Sequence, residues 1–269
     1  MDVLSIPYRY TTSLYWSLRH PKVFEGVKTF VIFIGYPRSG HSLIGFLLDA
    51  HPNIIVASQT SALKYLKHGF TRQQIFHVLL QNSRKVAKVG REWRPYSYDV
   101  PNQWQGRFEK LQVIGDSTGL TRLRRNPTLL RSLQKRLNGI DLKLIHCIRH
   151  PYDNISTMKL RSGRSLQDTI ETYFLMCETI EQIKRGVAPA DVYDLKHEAM
   201  IGDSTGTLKD LCKFLGVTST DSYYEDCASI VYKSSHKSRF EVPWNQELID
   251  FVKDKVKRLS FLQGYCYED

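Results

Sequence analysis

Apolar positions along the chain fall into short unbroken runs that alternate with stretches of helical spacing. Residues 30–34, 54–57, 111–115, 141–148 and 191–195 are rich in β-branched and aromatic side chains and are bounded by Gly, Pro, Asn or Ser. Runs this short, with so few polar interruptions, suit strands buried on both faces. Helical patterns lie between them. Residues 43–48 follow the first run, and Thr71 is placed to cap a helix with Ile75, Val78 and Leu79 inward and Gln73, Gln74 and Lys85 outward. Pro151 suits the first turn of another helix, Ser165 caps a long one striped by Ile170, Phe174, Cys177, Ile180 and Ile183, and two more are expected over 207–215 and 245–259. This alternation predicts an α/β fold, a three-layer sandwich with a central parallel sheet, formed by one domain over residues 1–269.

Two segments break the pattern. Residues 1–28 form a tyrosine-rich, basic arm interrupted by Pro7 and Pro21, in which Leu14, Trp16 and Leu18 are expected to cap the sheet edge, with contact to a membrane surface as the alternative. Residues 90–110 have no period and carry Arg91, Trp93, Arg94, Tyr96, Tyr98, Trp104 and Arg107. They are read as a lid over an acceptor or, alternatively, as a packed surface loop.

Composition narrows the classes. An apolar content of 42% with 24% charged residues excludes wholesale disorder. A net charge of +11 favours anionic partners, although the basic helix bearing Arg122, Arg124, Arg125, Arg131, Lys135 and Arg136 reads as a solvated face rather than a nucleic-acid surface. Five scattered cysteines without a C-x-x-C pair fit neither a zinc site nor a disulfide framework and suit a reducing compartment. No run reaches the length of a membrane span and no signal-peptide core is read, so the expectation is a cytoplasmic protein with no metal.

The chemistry centres on the turn after the first strand, Tyr36-Pro37-Arg38-Ser39-Gly40-His41-Ser42. Strand, Gly/Ser turn and helix place free backbone N–H groups at a helix N-terminus, where an anion is stabilised. Gly35-x4-Gly40-His41-Ser42 fits the P-loop pattern of nucleoside triphosphate enzymes except that His stands where the phosphate-reaching Lys is required. The loop more closely resembles the 5′-phosphosulfate loop of sulfotransferases that use 3′-phosphoadenosine 5′-phosphosulfate (PAPS). A second segment, Arg149 to Thr157, resembles that family's 3′-phosphate motif, an Arg followed by a hydroxyl residue eight positions on, here Thr157 with Ser156 beside it. The Leu48-Asp49-Ala50-His51-Pro52 segment is similar to the tyrosylprotein and carbohydrate branches.

The resemblance implies a PAPS-dependent sulfotransferase acting by in-line transfer on a hydroxyl or amine, with a P-loop-like phosphosulfate-binding turn. Arg38, Ser39, Gly40, His41 and Ser42 would hold the 5′ end, and Arg149, Ser156, Thr157, Lys237 and Arg239 the 3′ end, with Lys233 and His236 as further basic residues of the late loop. Arg38 stands in the position of the catalytic Lys or Arg. Gln59 occupies the position of the tyrosylprotein branch's general base and cannot take a proton. Asp116 is therefore the expected base, or else a helix cap, with His41 as the second candidate. His197 is a possible ring contact for adenine. The absence of an anchor leans toward a small-molecule acceptor. The competing readings are a P-loop phosphotransferase with a degenerate loop and a binding module that keeps the fold without activity.

Overall fold

The computed structural model describes residues 5–93 and 96–269, with only the backbone of Glu92 and Trp93; Arg94 and the Trp93 side chain, both expected in the lid, lie outside the described residues. The strands are β1 (Thr29–Gly35), β2 (Ile54–Ala57), β3 (Glu92–Trp93), β4 (Tyr96–Ser97), β5 (Val113–Asp116), β6 (Asp141–Ile148) and β7 (Val192–Lys196). Five of them form one parallel sheet in the order β2-β5-β1-β6-β7, and β3 pairs with β4 as a separate antiparallel ribbon. Because the large sheet is all-parallel, the turns after β1, β5, β6 and β7 emerge from the same edge, where ligands of such folds bind.

The pleat divides the core in two. Phe30, Ile32 and Ile34 of β1 point into one apolar cluster, and Val31 and Phe33 into the other. Helices therefore cover both faces. They are α1 (Ile6–Arg19), α2 (His41–Asp49), α3 (Ala62–Lys67), α4 (Arg72–Val89), α5 (Leu120–Arg125), α6 (Thr128–Leu137), α7 (Pro151–Ser162), α8 (Leu166–Arg185), α9 (His197–Gly202), α10 (Ser204–Phe214), α11 (Asp221–Ser229) and α12 (Gln246–Lys257). Residues of α4, α8 and α12 share the first cluster, and those of α2, α10 and α11 the second. The expected α/β three-layer arrangement with a parallel sheet is the one observed.

Local chemistry explains most boundaries and several departures. Thr71 caps α4 in a reciprocal capping box with Gln74. Gln74, expected outward, is fully buried instead, donating to the Tyr10 carbonyl (3.1 Å) and the Ser13 hydroxyl (3.3 Å). It docks the N-terminal arm, which is helical because Ser5 caps it and a Pro in the first turn loses no hydrogen bond. Trp16 packs on His77 and Phe24 of this face rather than on the sheet edge, and Leu18 is exposed. The expected single basic helix is broken at Asn126-Pro127 into α5 and α6. No described helix is long and apolar enough to cross a membrane.

Arg91, read as an acceptor contact, is wholly buried and ion-paired to Asp49 at the end of α2. Asp49 also accepts from Ser83 and from the Val56 N–H, so the root of the irregular segment is bolted to α4, β2 and α2. Removing one partner of such a pair costs about 3–5 kcal/mol, so Arg91 is a structural element.

Candidate functional site

The turn between β1 and α2 is built as an anion cradle. Arg38 (φ 72°) and Gly40 (φ 89°) both adopt left-handed backbone, which folds the turn back so that α2 starts at His41. A Cβ on Gly40 would lie 2.8 Å from the His197 ring, so only glycine fits there. Among the described residues no side chain caps this end of α2 and no acidic residue stands in its first turn, which leaves its N–H groups and positive dipole end for a ligand. The Ser39 hydroxyl and His41 Nδ1 are buried and have no hydrogen-bond partner among the described residues. Buried polar atoms without partners are rare, and two of them in an uncapped helix N-terminus fit a site that binds a phosphate-like group.

The second motif is wired to the first. The Arg149 guanidinium, at the end of β6, donates to the Arg38 carbonyl (3.2 Å) and the Thr157 hydroxyl (3.2 Å). Asn154 of α7 donates to the Pro37 carbonyl (3.0 Å). From the late loop, the His236 carbonyl (2.9 Å) and the Ser238 hydroxyl (3.4 Å) accept from Arg149, and Thr157 and Ser238 lie 2.8 Å apart. Arg149, Thr157 and Ser238 thus form a hydroxyl-and-guanidinium pocket of the type that grips a terminal phosphate. Burial pulls the guanidinium pKa down, with Asp153 and Glu198 acting in the opposite direction.

Other expected donor residues face elsewhere. Ser156, one position before Thr157, is fully buried and accepts from the Trp244 indole (2.9 Å), because neighbouring residues on a helix point about 100° apart. Arg239 is buried in an ion pair with Asp153 (2.7 Å) and also donates to the Asp269 carbonyl, so it props the late loop rather than meeting solvent. Lys237 is exposed and donates to the Asp269 carbonyl (2.7 Å). Ser42 stands in the first turn of α2, half-buried. His197 touches the cradle at Gly40, and burial beside the Arg149 charge lowers its pKa.

A cavity of about 540 Å³ opens beside the cradle. Arg38 and His41 line it, together with Pro37, Ser117, Thr118 and Met158, whereas Arg149 and Thr157 do not. The turn that supplies Ser117 and Thr118 sits close because the Gly119 N–H donates to the Phe33 carbonyl (3.0 Å), an approach that a Cβ would obstruct at 2.5 Å. Arg38 and His41 therefore stand between the Arg149–Thr157–Ser238 cluster and a second compartment.

Asp116, the expected base, does not reach that compartment. It is fully buried and accepts from the Ala62 N–H, the Thr118 N–H (3.0 Å) and the Thr118 hydroxyl (2.8 Å). Burial pushes its pKa up to about 6 against these donors. It holds the β2–α3 and β5–α5 turns together; it does not cap the helix after Gly119, the alternative that sequence left open, since α5 has no side-chain cap among the described residues. His41 does line the cavity, and burial lowers its pKa, so the ring is neutral near pH 7 and able to accept a proton. Gln59 is exposed with left-handed backbone and does not line the cavity.

Ser238 escaped sequence reading because a lone Ser between basic residues carries no pattern. Its signal was position, in the loop already picked out for Lys237 and Arg239. Tyr98, named with the irregular segment, is packed. It stacks on Phe46 of α2 and on Tyr96, with ring centroids at 5.2 and 6.0 Å, and Tyr96 meets Tyr232. Burial pushes the Tyr98 hydroxyl up to about 12, and the Arg38 charge pulls it the other way.

The profile of a family described as the sulfotransferase family matches residues 31–221, which includes both phosphate motifs and the cavity. Among solved structures, the sulfotransferase domain from the Synechococcus PCC 7002 olefin synthase is 17% identical, covers 83% of each chain and superposes with a TM-score of 0.51. The sulfotransferase domain from the curacin biosynthetic pathway is 11% identical, with a TM-score of 0.53 over 87% of this chain and 98% of its own. At these identities the likeness is one of fold. A search of curated protein sequences finds no match.

Proposed function

Because this chain belongs to the sulfotransferase family, we propose that it transfers a sulfuryl group from PAPS to a hydroxyl or amine of a small-molecule acceptor. The observation that carries the reading is the joining of two anion sites by the Arg149–Arg38 contact, with Arg38 and His41 facing onward into a separate cavity. PAPS has phosphate at both ends of its nucleoside and needs two such sites, whereas ATP needs one. The buried, unpartnered Ser39 hydroxyl fits the 5′ end, and Arg149 with Thr157 and Ser238 fits the 3′ end.

In this reading His41 takes the acceptor proton as the acceptor oxygen bonds to sulfur. The bond from sulfur to the bridging phosphate oxygen breaks at the opposite side, and 3′-phosphoadenosine 5′-phosphate leaves. Arg38 cannot lose its own proton, so it stabilises the charge developing on that oxygen electrostatically. Rate comes from in-line positioning and this charge stabilisation. The five unpaired cysteines suit a reducing compartment.

Thermal melting separates this reading from a phosphotransferase. The desulfated nucleotide, 3′-phosphoadenosine 5′-phosphate, is expected to raise Tm by mass action, and ATP with Mg²⁺ to do so much less. Stabilisation by ATP alone, and only with Mg²⁺, would sink the assignment.

A further inference from the structure

The cavity beside the cradle is lined by four arginines and, among the described residues, by no carboxylate. Arg38 comes from the cradle, Arg124 from α5, Arg161 from the last turn of α7, and Arg164 from the α7–α8 connection. All four are exposed, and among the described residues none forms an ion pair. Two buried arginines, by contrast, are neutralised: Arg91 is paired to Asp49 and Arg239 to Asp153. Arg122, one helical turn from Arg124's neighbours, is instead turned to the Ser61 hydroxyl (2.9 Å).

Four like charges around one opening repel one another, and the arrangement becomes favourable when an anion sits among them. The donor does not account for all four. Its proposed phosphate contacts, Arg149, Thr157 and Ser238, lie outside this cavity, and Arg38 alone serves the transferred group. Arg124, Arg161 and Arg164 are left over. The floor beneath them is apolar, formed by the buried side chains of Phe33, Leu120 and Met176 together with Met158.

We propose that the acceptor is an amphipathic small molecule carrying a carboxylate, sulfate or phosphate at the end remote from the group that receives the sulfuryl. Its apolar body lies on Phe33, Leu120, Met158 and Met176. Arg124, Arg161 and Arg164 select its anionic end, and Arg can hold such a group bidentately. This inference rests on the sulfotransferase reading.

Calorimetry on the protein saturated with 3′-phosphoadenosine 5′-phosphate tests it with two matched pairs: 3-(4-hydroxyphenyl)propionate against 4-ethylphenol, and 10-hydroxydecanoate against 1-decanol. The anionic member of each pair is expected to bind about tenfold more tightly or better, with the preference shrinking as salt rises. In the triple variant R124Q/R161Q/R164Q, and in part in R164Q alone, that preference should collapse to within about threefold. Nucleotide affinity in the same variant reports whether the fold and donor site survive. Equal binding of both members, or no binding of any, overturns the inference while leaving the sulfotransferase reading standing. So does a preference that survives the triple variant, or a variant that loses nucleotide affinity by the same factor, since the arginines would then serve the donor. If the nucleotide itself does not bind, the parent reading fails and this inference with it.

Discussion

The guanidinium of Arg149 donates to the backbone carbonyl of Arg38 at 3.2 Å across 111 residues of sequence. The two phosphate motifs are therefore one mechanical unit, since the side chain that would hold a 3′-phosphate also fixes the turn that would hold the 5′ end. Arg149→Ala should weaken binding of 3′-phosphoadenosine 5′-phosphate by about 10- to 150-fold, the range for losing hydrogen bonds to a charged group. Arg149→Lys should recover only part of this, because an ammonium cannot bridge Thr157, Ser238 and the Arg38 carbonyl together. Titration calorimetry gives the answer, and an unchanged affinity in the Ala variant would remove the 3′-phosphate assignment.

Arg38 is exposed and aimed into the cavity. Arg38→Ala should lower kcat by about 10²- to 10³-fold while donor affinity falls far less, the pattern of a group that acts on developing charge. A variant that changes only the donor KM would mean that Arg38 holds the ground state and nothing more.

The proposed mechanism gives the base role to His41, the second candidate, which lines the cavity, rather than to the buried Asp116. His41→Gln should cut turnover by about 10²- to 10⁴-fold, the usual contribution of a positioned base. In the parent enzyme the acid limb of the rate profile should fall below the ordinary histidine value of about 6.5, because burial lowers the His41 pKa and the ring loses its lone pair only on protonation. Asp116→Asn should keep turnover within about threefold and reduce stability by about 1–3 kcal/mol through the lost acceptor for Ala62 and Thr118. A pH–rate series on the two variants decides between them. Loss of turnover in Asp116→Asn with an unchanged melting curve would restore Asp116 as the base.

Gly40 has φ 89° and lies against His197, so Gly40→Ala faces both backbone strain and a clash at 2.8 Å. The expected cost is about 1–3 kcal/mol, with donor binding lost because the cradle must shift. His197→Ala in the same chain should relieve the clash but not the backbone strain, recovering part of the stability. Full recovery in the double variant would show that the left-handed backbone is not what the cradle requires.

His51 gives the molecule an acid-sensitive joint. Its Nδ1 accepts from the Asn53 N–H (2.9 Å), so the proton is on Nε2, which donates to the Thr218 carbonyl (3.1 Å). Burial pushes its pKa down to about 4, below the unfolded value of about 6.5. The unfolded chain therefore binds more protons in that interval, and the stabilisation is complete above pH 6.5 and lost as pH falls toward 4. The ring is fully buried, and about 3 kcal/mol is involved. His51→Gln should flatten the dependence of Tm on pH between 7 and 5 relative to the parent. A difference between the two proteins that does not change over that range would exclude this account.

The sequence by itself determined the strands of the parallel sheet and the places of the two motifs that resemble phosphate-binding segments. Strands buried on both faces must be apolar throughout, so β1, β2 and β6 are visible as runs, and the residues of an anion-binding turn are adjacent in the chain. Thr71, Pro151 and Ser165 likewise act within one helical turn and were legible as helix starts. Tertiary structure decided which way each candidate faces. Ser156 and Thr157 are equivalent as letters, yet the helix turns one to Trp244 and the other to Arg149. Arg239 and Arg91 read as donor and acceptor contacts until Asp153 and Asp49 are brought to them from distant elements. The Asp116 carboxylate is engaged by the N–H of Ala62 at a helix start 54 residues away in sequence, a contact that no local pattern announces. Orientation depends on what packs against a side chain, and those partners come from segments that no local pattern connects.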